Sequence, residues 1–117
     1  MPQDQEAVAE LVFTALADPT RRKILAELAA NGPATATDLA ARLPITRQAI
    51  AKHLALLTEA GLAVAEPGER RRVRYRHRSE PMRVAQGFLA ALSRDWDGQL
   101  DALKQHLEHD STTRKPR

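Results

Sequence analysis

Residues 35–78 constrain the fold more than any other stretch of this chain: TATDLAARLPITRQAIAKHLALLTEAGLAVAEPGERRRVRYRHR. Thr35 followed by Asp38 forms a capping box in which Asp replaces the usual Glu, opening a short helix with Leu39, Ala40 and Leu43 inward. Leu43-Pro44-Ile45 breaks that helix, and Thr46 can cap the next. There Ile50, Leu54 and Leu57 share a face, and Gly61 ends the run. About three residues separate the two helices, the spacing of a helix-turn-helix. Leu62 to Glu66 then lead to a turn at Pro67-Gly68-Glu69. In the returning arm Val73, Tyr75 and His77 alternate with Arg72, Arg74, Arg76 and Arg78. Alternation with period two marks half-buried strands, so the arms form a two-stranded hairpin, or wing.

The flanking sequence reads as support. A first helix is expected over residues 4–16, with Val8, Leu11, Val12, Ala15 and Leu16 on one stripe. Asp18 can cap a second helix whose first turn holds Pro19; Ile24, Leu25 and Leu28 point inward, and Asn31-Gly32-Pro33 stops it. Arg21, Arg22 and Lys23 in that first turn oppose the helix dipole. Phosphate contact and pairing with the acidic first helix are the two readings of them. Pro81 opens a long final helix on which Ala85, Leu89, Leu92, Trp96, Leu100, Leu103 and Leu107 recur every three or four residues. The polar stretch 111–117 reads as a disordered tail. The expected fold is mainly α with a two-stranded β wing: four helices, the wing and a fifth helix in one winged helix-turn-helix domain over residues 1–110.

At 117 residues the chain suffices for one modest core, and four aromatics leave that core to Leu, Ala, Val and Ile. A domain this small would gain from burying surface in a dimer. Cysteine is absent, which removes disulfides, thiolate metal sites and thiol chemistry and fits a reducing interior. No apolar run approaches the roughly 20 residues of a membrane span. The acidic N-terminus MPQDQEAVAE lacks an export signal, so a cytoplasmic location with no membrane partner is expected. With no nucleophile motif, phosphate-binding glycine loop or HExxH pattern, an enzyme is not expected.

Charge is focused rather than large. Residues 1–20 carry four acids and no Lys or Arg; residues 21–78 carry twelve Lys/Arg against five acids, a balance of +7; residues 79–117 carry six of each. This suits a polyanionic partner. If the apolar side of the helix after Thr46 faces the core, Arg47, Gln48, Ala51, Lys52 and Ala55 face outward. Arg suits the N7 and O6 acceptors of guanine, and Gln can pair with adenine. Lys52 and Thr46 suit phosphate. Six arginines fall within residues 70–78. At the tip they can enter a minor groove, and nearer the base they can hold phosphates. RNA-binding sheets usually present stacking aromatics, and only Tyr75 is available, on the inward register. His53 can contact phosphate or a buried polar group; His77 lies on the inward register, where a structural role is expected.

The runs ALADPTRRKILAEL, TATDLAARL and ITRQAIAKHLALLTEAGLA, followed by a basic wing ending in Tyr75, resemble the ArsR (ArsR/SmtB) family of bacterial winged-helix repressors over residues 8–108. The most specific piece is the family pattern HLxxLxxAGL, met here from His53 to Leu62. The resemblance implies a homodimeric, sequence-specific DNA-binding regulator of double-stranded DNA. Such proteins are usually repressors of their own operon that bind an inverted repeat. It places DNA-facing roles on Thr46, Arg47, Gln48, Ala51, Lys52 and His53, and on wing residues Arg70, Arg71, Arg72 and Arg74. Ala51 departs from the serine that many members carry. The first and last helices would form the dimer contact, with Leu11, Phe88, Leu89, Leu92, Trp96, Leu100 and Leu103 as its residues.

Two other readings accompany this one. Some family members hold a metal with Asp and His on the last helix, where this chain has Asp95, Asp97, His106 and His109. Asp97 stands where a histidine is needed, and nine positions of helix set it roughly 13 Å from His106, too far for one ion within one chain. Two histidines alone make a weak site. No cofactor and no effector is therefore assigned. The other reading is a winged helix used to dock proteins, for which a +7 central segment has no use.

Overall fold

A computed structural model of the protein describes residues 4–113. The chain divides into two compact units, Met1–Gln86 and Gly87–Arg117. The first holds α1 (Gln5–Leu16), α2 (Pro19–Asn31), β1 (Ala34–Thr35), α3 (Ala36–Arg42), α4 (Arg47–Glu59), β2 (Ala63–Pro67) and β3 (Val73–His77), with the opening turns of α5 (Glu80–Thr113). The remainder of α5 forms the second.

The core of the first unit is aliphatic. Val12, Ile24, Leu28, Leu39, Ile50, Leu54, Leu57 and Leu62 are essentially inaccessible to solvent. Each such side chain stabilises the fold by about 1.5–3 kcal/mol through burial. On α1 the buried positions are Ala9, Val12 and Ala15, with Val8 and Leu16 half-buried. Leu11, expected on the inward stripe, is 50% exposed. The buried step of three turns the inner face toward the two small alanines and leaves Leu11 outside.

Caps fix where the helices begin. Asp18 accepts the N–H groups of Thr20 at 2.7 Å and Arg21 at 3.1 Å. The Thr35–Asp38 capping box closes with two 3.0 Å bonds, one in each direction. Thr46 accepts from the Ala49 N–H at 3.2 Å. At the far end of α4, Gly61 adopts φ 78°, a left-handed conformation that a Cβ would penalise. The Gly61 N–H donates to Thr58 O and the Leu62 N–H to Leu57 O, a Schellman termination in which Leu57 and Leu62 are both buried.

Arg21 and Arg22 pair with the first helix through its backbone rather than through its acidic side chains. Arg21 donates from Nε to Ala15 O at 2.6 Å and from Nη2 to Thr14 O at 3.1 Å. Arg22 donates from Nη1 to Leu16 O at 2.6 Å. The two guanidinium groups satisfy the Ala15 and Leu16 carbonyls that the end of α1 leaves open, Arg21 shares Thr14 O with the Ala17 N–H, and their charge complements the helix dipole. No basic residue occupies the last turn of α1 itself.

The sheet has three antiparallel strands in the order β1-β3-β2, one more than the two-stranded wing expected. Ala34 pairs with Tyr75 and Thr35 with Arg74, while on the other side Ala65 faces Tyr75 and Glu66 faces Arg74. Two residues are too few to show periodicity. They become a strand because the extended link into α3 covers the otherwise open edge of β3.

Beyond residue 86, α5 carries one stripe of large apolar side chains. Leu89, Leu92, Trp96, Leu100, Leu103 and Leu107 are 42–56% exposed. The helix runs to Thr113, three residues into the expected tail; residues 114–117 lie outside the described residues. No Gly or Pro interrupts the sequence between residues 99 and 115, so nothing breaks the helix sooner.

Asp38 is held below the usual carboxylate pKa, first by the backbone N–H of Thr35 and then by its hydroxyl. Asp18 is lowered as well, chiefly by the Arg21 N–H. A depressed folded pKa stabilises at pH above the unfolded value, and that stability is lost as pH falls below about 4. Asp38→Asn is therefore expected to lower the melting temperature at neutral pH and to flatten its fall between about pH 5 and pH 3. Thermal melts across that range check both effects.

Candidate nucleic-acid interface

The α3–α4 pair places one helix face in the core and leaves the other in solvent. Ile50, Leu54 and Leu57 are completely buried, whereas Arg47, Gln48, Ala51, Lys52 and Ala55 are exposed. Thr46 is exposed at the N-cap, so the start of α4 presents a hydroxyl, a guanidinium, an amide and an ammonium around the small side chain of Ala51. None of Arg47, Gln48 and Lys52 is held by an ion pair or side-chain hydrogen bond among the described residues. Their donors are open to a ligand.

His53 stands apart from this group. It is half-buried, and its Nδ1 is enclosed with no hydrogen-bond partner among the described residues. Its charged form adds to the effects that lower Asp18, after the Arg21 and Thr20 N–H groups.

In the wing, Tyr75 and His77 are half-buried on the inner register, as the alternation requires. Val73 shares that register yet is 47% exposed, because it pairs with Pro67 at the outer end of the hairpin. The arginines of the outer register differ in their partners. Arg74 and Arg76 lie 3.9 and 3.3 Å from the carboxylate of Glu66, and Arg78 lies 3.6 Å from Glu80. Arg70 and Arg71, both exposed, have no carboxylate within 4.0 Å among the described residues, and Arg72 adds to the lowering of Asp38. Among the described residues Arg70, Arg71 and Arg72 are thus the wing arginines without an ion pair, although Glu69 shares the tip turn with them.

The tip is also a tight turn. The Arg72 N–H donates to Glu69 O at 3.0 Å, and the Gly68 N–H to Arg72 O at 2.7 Å. A Cβ on Gly68 would come within 2.8 Å of Arg72 O, so only glycine fits. Arg70 and Arg71 both have positive φ, 54° and 65°. Consecutive left-handed residues are the mark of the mirror-image hairpin turn, in which Asn-Gly is the favoured pair. The left-handed conformation costs roughly 1–2 kcal/mol for each residue with a Cβ. The sequence pattern puts the turn at residues 67–69 and does not disclose this strain. Its signal is the absence of a second glycine or an asparagine at the tip.

The metal-site candidates Asp95, Asp97, His106 and His109 are exposed along α5. Among the described residues no group of three or more His, Cys, Asp or Glu is arranged to hold an ion. No helix among them is long and apolar enough to cross a membrane.

A capped helix pair, an open polar flank on its second helix and an arginine-covered hairpin anchored to a small sheet define a winged helix-turn-helix protein. A helix-turn-helix domain family matches residues 16–65. An ArsR-like transcriptional regulator from Rhodococcus sp. RHA1 superposes with a TM-score of 0.77 at 40% identity, over 86% of this chain and 92% of that one. The HTH-type transcriptional regulator Rv2034 of Mycobacterium tuberculosis (strain ATCC 25618 / H37Rv) is 35% identical over 96 residues, 82% of this chain and 85% of that protein. The transcriptional repressor SdpR of Bacillus subtilis (strain 168) is 47% identical over 49 residues, 42% of this chain and 53% of that protein. The chain belongs to the ArsR family of DNA-binding transcriptional regulators.

Replacing the strained pair by the favoured one, Arg70→Asn with Arg71→Gly, is expected to stabilise the fold by about 1 kcal/mol. The same change should weaken duplex binding and make its salt dependence shallower by about 0.9 for each phosphate the tip no longer neutralises. Denaturant melts and anisotropy titrations across salt concentrations read the two effects separately.

Proposed function

We propose that the protein is a homodimeric transcriptional repressor that reads an inverted repeat. Each copy sets the N-terminal half of α4 into the major groove, the two grooves lying about 34 Å apart on one face of the duplex. Arg47 and Gln48 read base edges, Ala51 permits close approach, and Thr46 and Lys52 hold phosphates. The tip arginines Arg70, Arg71 and Arg72 hold the flanking backbone, and Arg74, 3.9 Å from the Glu66 carboxylate, stands in reserve behind them. His53, half-buried, serves the packing of α4 and reaches the nearby phosphate only through the edge of its ring left open to solvent. Repression follows from occupying a promoter.

The observation that carries this reading is the division of α4, with Ile50, Leu54 and Leu57 sealed and Arg47, Gln48 and Lys52 exposed and unpaired among the described residues. The similarity to SdpR, a transcriptional repressor, supports the sign of regulation. The dimer rests on exposed apolar surface. Leu11 and Phe13 on α1 line a groove with Leu56, and α5 bears six large side chains on one stripe. Apolar surface of that extent marks an interaction site.

Selection of preferred sites from random duplexes is expected to return a two-fold symmetric motif; an asymmetric motif, or none, removes the reading. Exchanging Arg47 and Gln48 for Ala should cost about 1–3 kcal/mol per base pair read at the selected site and leave binding to shuffled sequence intact. The pair Trp96→Asp and Leu100→Asp is expected to yield monomers in sedimentation experiments. Unchanged dimers would exclude the α5 stripe as the contact.

A further inference from the structure

The wing carries one acidic residue in the middle of its arginine face. Glu66 on β2 sits directly across from Arg74 on β3, and Arg76 lies two residues along on the same face. Its Oε2 accepts from Arg76 Nε at 3.3 Å, and its Oε1 lies 3.9 Å from Arg74 Nη2. One carboxylate therefore serves two guanidinium groups, each about half exposed. Stability alone accounts poorly for it. Exposed pairs contribute little to folding, and glutamate is a poor strand former. In contrast, Arg70 and Arg71 at the tip have no acid within 4.0 Å among the described residues.

We propose that Glu66 sets the selectivity of the wing, an assignment that rests on the DNA-binding reading above. Nonspecific association draws on every cation able to displace counterions from the duplex. Glu66 withdraws Arg74 and Arg76 from that pool, because a phosphate reaching either guanidinium must dislodge the carboxylate or stand beside it. When α4 is seated in the major groove, the bare tip supplies the wing contact and Arg74 and Arg76 stay on Glu66. The residue thus lowers affinity for arbitrary sequence more than affinity for the correct site. In the seated complex Arg74 is an arginine in reserve rather than a primary contact.

The test is Glu66→Gln, which keeps the shape and removes the charge, titrated against the selected site and a shuffled duplex across a range of salt. Affinity for the shuffled duplex should rise on the order of tenfold, with its salt slope steeper by about 0.9 for each guanidinium released. The selected site should gain less, so the ratio between the two falls. Adding Arg74→Gln and Arg76→Gln should cancel the gain. Equal gains on both duplexes, no change, weaker binding to both, or a gain that persists without the two arginines would each overturn the proposal. A protein that selects no duplex at all would instead remove the DNA-binding reading on which it rests. Melting temperatures recorded alongside show that each variant is folded.

Discussion

Burial of Ile50, Leu54 and Leu57 is the constraint on which the remainder depends. These side chains have no solvent contact, so α4 cannot rotate about its axis without exposing apolar surface worth several kcal/mol. Fixing one face of the helix fixes the other. Arg47, Gln48 and Lys52 point outward because the only alternative would bury two charges and an unpaired amide. Leu39 on α3 and Leu28 on α2 complete the same sealed cluster, so helix orientation and donor orientation arise from one packing event.

Electrostatics then works at the helix ends. Arg21 and Arg22 close the carbonyls of α1, while Asp18 closes the N–H groups of α2 one turn away, giving a junction in which each terminus is matched by opposite charge. The wing follows a different rule. Its arginines outnumber their acids, so charge that a stability argument would neutralise is left for a polyanion. The same residue type thus serves as an internal cap in one place and as presented charge in another.

Much of this was legible in the sequence. The caps at Asp18, Thr35 and Thr46, the box partner Asp38 and the inward set on α4 all follow local rules acting within a few residues, and the structure has them where those rules put them. The departures share a non-local origin. β1 exists only because β3 offers an edge, and Arg21 reaches carbonyls six and seven residues behind it across a turn. Leu11 faces out because α1 docks through alanines, which carry little weight in an apolar stripe. Val73 obeys the alternation yet extends past the part of the sheet that could cover it. Of the candidate site, the exposed polar residues of α4 were readable as a face, whereas the pairing of Glu66 with two arginines required the strand register.

The arrangement of the sheet also bears on how the protein behaves at high concentration. β3 is flanked on both sides, but β2 is paired on one side only, and an unpaired strand border is a template for joining other chains. Here that border is five residues long, holds a carboxylate at Glu66, and ends in Pro67, which has no N–H to donate. A hairpin projecting into water would otherwise invite strand-by-strand stacking between molecules. A carboxylate within its outer margin and a proline at its end both discourage such stacking.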